Sequence, residues 1–241
     1  KERINWKNVD FKEAIKSSTF NANAVDWAEL GNSRTTRRIY KYVDWAKFDY
    51  TQLTDDTKEG ITWKNVSFKE AIKSATFNVN AVDWNELGNS RSTRSKYKII
   101  NWEDVDYNQL TDETKDGINW RNVDFKEAEK SNTFDLNKVD WKSLGNSRSA
   151  RSKYKTINWE NVDYTQLTED TIKDINWSNV QFNEASKSTS FNLKCVDWSE
   201  INSRAYRAIN WGDFNYQQII DDPETKDKIN WKRVSFKEAL R

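Results

Sequence analysis

The chain has no histidine and no methionine, and only one cysteine, one proline and six glycines in 241 residues. Without histidine it lacks the commonest general base and the commonest nitrogen ligand for metals. Its one cysteine, Cys195, has no internal disulfide partner and is too little for a thiolate metal site. No apolar run approaches the length of a membrane span, about 18 residues, and no signal-peptide core is present. An excess of charge of one sign is missing too: 39 basic residues face 38 acidic ones, a formal net charge of +1. That balance excludes a bulk polycation of the kind drawn to nucleic acid or membrane surfaces, so any electrostatic role must come from local patterning. Compartment and source are left open.

What is present is unusual for a chain this polar. Apolar residues make up 36%, charged residues 32%, and the mean hydropathy is −1.02. Those values approach the range in which burial fails to offset conformational entropy. Yet 14% of the chain is aromatic, with 13 Trp, 11 Phe and 9 Tyr. The apolar content is concentrated in a few large side chains.

Those side chains are periodic. Successive tryptophans, beginning Trp6, Trp27, Trp45, Trp63, are spaced 21, 18 and 18 residues apart, and the sequence of spacings repeats. The higher unit is a 57-residue triplet of three motifs, typified by INWRNVDFKEAEKSNTFDLNK at 118–138, VDWKSLGNSRSARSKYKT at 139–156 and INWENVDYTQLTEDTIKD at 157–174. Residues 1–241 therefore read as one tandem-repeat array, with triplets starting near 4, 61, 118 and 175 and a partial fifth from 229. The fourth triplet is irregular: its second motif, VDWSEINSRAYRA, is shortened, and its third holds Pro223, which marks 196–228 as a kink or local cap. Both ends lie inside a first-type motif and position 1 is not Met, so a longer natural protein, or ends covered by partners, is expected.

A finer beat of five runs inside each motif. Ile100, Val105 and Leu110 are five apart, as are Asn101, Asp106 and Thr111, and Trp102 and Tyr107. Neither the 3.6-residue period of an amphipathic helix nor the two-residue period of a strand fits. The pattern I-N-W-x-x, V-D-Y-x-x, L-T-x-x-x resembles the pentapeptide-repeat family, whose motif is A-(D/N)-L-x-x. The resemblance implies a right-handed quadrilateral β-helix, so a β-solenoid with about 18–21 residues per coil is the favoured fold. The chain departs from that family in placing Ile or Val where it prefers a small residue, and Trp where it prefers Leu or Phe; overfilling a narrow interior is destabilising. The alternative is an array of short capped helices, in which the Asn or Asp before each aromatic serves as an N-cap. W-x-x-V-x-F-x-x-A also fits the frame of leucine-rich repeats, but lacks their Asn.

The residues point away from catalysis. The phosphate-loop, nucleophile-elbow and zinc-protease signatures are missing, and carboxylates such as Asp112, Glu113 and Asp116 recur in every triplet where a catalytic site needs one preorganised constellation. No enzyme, cofactor or metal site is expected. Trp invites reading as a stacking platform, but each is followed three residues later by an apolar side chain, aliphatic in all but Trp45 and Trp211, which favours a core role.

The informative polar element is N-S-R-x-x-R in the second motif. It supplies Arg34 with Arg37, Arg91 with Arg94, Arg148 with Arg151, and Arg204 with Arg207, joined in three copies by Tyr40, Tyr97 and Tyr154. These residues are the candidate partner-binding set, because the guanidinium fork suits bidentate capture of carboxylate or phosphate. Third motifs are acidic, as in Asp55, Asp56 and Glu59, so the arginines could equally pair with the neighbouring acidic band. The leading expectation is a structural scaffold or linker that binds a periodic protein partner or itself. A sticker-and-spacer linker that folds on a large assembly is the runner-up. Binding of nucleic acid or another anionic polymer through the Arg and Tyr bands is a third reading, which the near-zero net charge disfavours.

Overall fold

The computed structural model describes residues 4–17, 19–214, 216 and 222–236. It overturns the β-solenoid. Among the described residues there is no strand; the chain is a succession of α-helices of four to seven residues and three-residue 3₁₀ turns, joined by extended residues. The alternative, an array of short capped helices, is the architecture consistent with it.

The five-residue beat has a local cause. Three residues form a 3₁₀ turn, and two extended residues, its C-cap and the next N-cap, complete the pentad. Val105 ends one turn in extended geometry (φ −73°, ψ 127°) and Asp106 opens the next (φ −83°, ψ 96°). The aromatic Tyr107 takes the first helical position. The Asp106 carboxylate accepts the Asn108 amide N–H at 3.0 Å, the side-chain capping bond that favours Asn and Asp at this place. Backbone bonds then stay within the turn, as from the amides of Gln109 and Leu110 to the carbonyls of Asp106 and Tyr107. An amide spent three residues back is not available to a ladder between coils, which is why this beat does not yield β-structure.

Large side chains do what a ladder would have done. The indole N–H of Trp102 donates to the Tyr97 carbonyl at 2.9 Å, five residues back, and the Tyr107 hydroxyl donates to the Trp102 carbonyl at 3.0 Å. The same five-residue reach recurs from Trp45 to Tyr40, Trp63 to Lys58, Trp159 to Tyr154 and Trp198 to Leu193. A buried tryptophan thus fills space and satisfies the carbonyl of the preceding turn, one of the groups a helix end leaves open. Trp27, Trp63, Trp120 and Trp177 are all at least 98% buried, in line with the core reading.

Two compact units make up the chain, Lys1–Asp124 and Phe125–Arg241, and the boundary falls within the first motif of the third triplet. In the first unit Trp27 packs on Tyr40 and Trp45, with ring centroids 5.2 and 5.5 Å apart. Ser74 and Thr76 clamp the backbone of an earlier motif: the Ser74 hydroxyl donates to the Phe48 carbonyl and the Thr76 hydroxyl accepts the Tyr50 amide. In the second unit Ser188 and Ser190 bond Val162 and Tyr164 in the same way, while Trp141 packs on Tyr154 at 5.3 Å.

Glycine is required at one place in each regular triplet. Gly31, Gly88 and Gly145 have φ near +60° with ψ between −153° and −158°, a region essentially confined to glycine, and each turns the chain from the W-x-x-L helix into the arginine helix. The shortened fourth motif lacks this glycine, and there the W-x-x-L helix contracts to the turn Trp198–Glu200. The stretch 196–228 singled out as irregular contains 215 and 217–221, which lie outside the described residues. Pro223 stands at the start of helix Pro223–Lys228, where no backbone N–H is needed, so it does not break that helix.

Candidate functional site

The second motif builds its arginine pair on a short, strongly capped helix. These helices span Arg34–Ile39, Arg91–Tyr97 and Arg148–Tyr154. The serine of N-S-R is the N-cap: Ser33, Ser90 and Ser147 accept the amides of Thr36, Thr93 and Ala150. The asparagine ties successive triplets together, since Asn32, Asn89 and Asn146 accept from the side-chain amides of Asn65, Asn122 and Asn179. Two of the three residues in the frame are thereby explained by folding.

The arginines are not. Arg34, Arg37, Arg91, Arg94, Arg148 and Arg151 are all exposed, and none makes an ion pair with a described residue. Some carboxylates of the acidic bands are engaged by lysines instead, as in Lys58–Glu113 at 3.0 Å and Lys142–Asp174 at 3.2 Å. Arg34, Arg91 and Arg148 take the first position of their helices, where the dipole opposes a cation by a few tenths of a kcal/mol or more. Their stabilising contribution to these helices is therefore nil or negative.

The tyrosines grouped with them lie elsewhere. Tyr40, Tyr97 and Tyr154 are 99–100% buried, so they do not share the exposed face of the arginines. Each hydroxyl oxygen accepts an amide of the next triplet, from Thr62, Asn119 and Asn176 at 2.7, 2.8 and 2.9 Å. Burial pushes the hydroxyls of Tyr97 and Tyr154 up to about 12 against the opposing effect of those amides. They are struts between triplets. The signal for this was present: each precedes a tryptophan by five residues, the beat of the core aromatics.

That beat also identifies a fourth strut. Tyr206 lies five before Trp211, its hydroxyl accepts the Asn230 amide at 2.9 Å, and its carbonyl accepts the Trp211 indole N–H at 3.1 Å. Tyr206 is thus the counterpart of Tyr154. In the regular copies the arginines stand six and three residues before the tyrosine; Arg204 stands two before Tyr206 and Arg207 one after it. Both are exposed, but on a helix, Ser203–Ala208, capped by Asn202 in place of serine. The fourth N-S-R-x-x-R therefore occupies a different register, and the structural series of arginine pairs has three members.

Lysines beside the arginines divide in the same way. Lys96 turns inward, donates to the Val66 carbonyl and lies 4.8 Å from the Phe68 ring centroid. Desolvation lowers its ammonium to about 8 although Glu86 works against the shift. Among the described residues no cluster of three or more His, Cys, Asp or Glu side chains could hold a metal ion, and no helix is long and apolar enough to cross a membrane. Cys195 is buried, its thiol 3.6 Å from the Tyr164 carbonyl.

Compared with known proteins, the chain matches no family model, no curated protein and no solved structure.

Proposed function

We propose that this chain is a non-enzymatic scaffold or linker that offers a repeated guanidinium surface to an acidic, periodic protein partner. One observation carries the reading: in three successive triplets an exposed arginine pair stands at the same place without an ion-pairing partner, its first member at a helix start where the dipole disfavours it. Burial, capping and inter-motif bonding account for the serine, asparagine and tyrosine around it. A pair at i and i+3 projects both forks from one side of a helix, which suits carboxylates spaced along another chain.

Replacing Arg34, Arg91 and Arg148 together by Gln tests this, with poly-L-glutamate as the probe. The variant is expected to keep the thermal midpoint of the wild type and to lose binding by more than the sum of three single replacements. Lysine at the same positions should rescue binding partly, since it keeps charge and loses the fork. A triple Gln variant that unfolds at lower temperature yet binds normally would reduce the arginines to structural ion-pairing groups.

A further inference from the structure

A second surface recurs with the 57-residue period and owes nothing to the arginine pairs. In the first triplet Ile15, Phe20 and Phe48 line a cavity of about 450 Å³ whose charged residues are mixed, Lys16 and Lys47 with Asp44 and Asp49. In the second, Ile72, Phe77 and Val105 floor one of about 240 Å³, rimmed by Asn101, Asp106 and Gln109. Both lie in the first compact unit. Among the described residues the large exposed hydrophobic side chains are Ile4, Tyr42, Ile72, Ile99 and Phe236. Of these, Ile72 (36% exposed) lines the second cavity, and Tyr42 (42%) and Ile99 (37%) directly precede Val43 and Ile100, which line the first and the second. The third triplet has the same cavity, but polar residues stand at both places: Glu129 where its sisters have Ile15 and Ile72, and Thr156 where they have Tyr42 and Ile99.

We infer that this face of the first two triplets is a docking surface for a second copy of the chain. The second copy is favoured because each triplet carries the plug beside the socket. Tyr42 and Ile99 are exposed apolar groups, each directly preceded by an exposed lysine, Lys41 and Lys98. The charged residues lining the second cavity are Asp104 and Asp106, both acidic, so a cation-flanked apolar side chain complements it. A surface holding both halves of a contact closes on itself about a two-fold axis. Tyr42 of one copy enters the second-triplet cavity of the other, and Ile99 enters the first.

Sedimentation equilibrium of the full chain over the micromolar to hundreds-of-micromolar range tests this, with the monomer at 28.6 kDa. Twice that mass is expected, reached reversibly. Ile72→Glu with Ile99→Thr installs the residues of the third triplet at exposed positions; it should weaken the dimer about tenfold or more and leave the circular dichroism unchanged. Tyr42→Thr, a single exposed replacement, should act in the same direction if the double variant loses its fold. The triple Arg→Gln variant should dimerise as the wild type does, which separates failure of this surface from failure of the arginine one. A wild-type chain that stays monomeric throughout, or variants that dimerise equally well, would overturn the inference.

Discussion

Replacing Tyr97 with Phe removes a single oxygen atom and tests the link between triplets. The ring is fully buried and packs on Trp84 and Trp102, with centroids 5.0 and 6.0 Å away, and the backbone carbonyl still receives the Trp102 indole; phenylalanine preserves all of this. What is lost is the acceptor of the Asn119 amide, 2.8 Å distant and part-buried. A donor stranded away from water costs about 1–3 kcal/mol, more than the net worth of an average hydrogen bond. Urea unfolding followed by tryptophan fluorescence should report that loss, and amide exchange should show Asn119 losing protection before residues of distant motifs, because repeat arrays transmit damage mainly to neighbours. Tyr154→Phe should do the same to Asn176. Tyr42→Phe, at an exposed ring, should stay within about 0.5 kcal/mol of the wild type. A Tyr97→Phe chain as stable as the wild type, with Asn119 still protected, would refute the strut.

Two further outcomes are expected. Trp102→Ala should cost about 3–5 kcal/mol, as large core truncations do, and the intact chain should emit at shorter wavelength than free tryptophan; emission like that of the free amino acid would count against burial. Glu129 gives a pH signature: desolvation raises its carboxyl to about 7, Glu184 adds to the shift, and the Asn158 amide at 2.7 Å opposes it. Because the folded state holds this proton more tightly than the unfolded chain, its contribution to stability is greatest below the ordinary carboxylate range. That contribution falls as pH rises from about 4.5 to about 7. Glu129→Gln should therefore gain thermal stability over the wild type at pH 8 relative to pH 5, and an equal difference at both would contradict the assignment.

How much of this was legible in the sequence differs from residue to residue. The triplet, the pentad and the core tryptophans are visible as spacings, and the Asp before each aromatic is a cap both by composition and in the structure, as Asp83 and Asp140 illustrate. The backbone was not legible from the period. A beat of five is equally a face of a β-coil or a three-residue turn with its two caps, and a turn as short as Tyr107–Gln109 is too brief to show a 3.6-residue period. The Asn of I-N-W illustrates the limit: Asn119 and Asn158 look like caps but make no side-chain capping bond, and their amides bond Tyr97 and Glu129 instead. The arginine register was misleading for a related reason. Aligning N-S-R-x-x-R by sequence joins Arg204 to Arg148, whereas aligning by the strut joins Tyr206 to Tyr154, and packing follows the strut.

The central claim is that the chain is an ordered helical repeat array by itself, held by capped turns and aromatic side chains in place of a β-ladder. Far-ultraviolet circular dichroism of the isolated full chain, followed through a thermal melt, tests it most directly. The account predicts helical minima at low temperature, lost in a cooperative transition together with the near-ultraviolet tryptophan signal. A coil spectrum with no transition would make the chain a linker that folds only on its partner, and a single β-type minimum would restore the coil architecture; either result contradicts it.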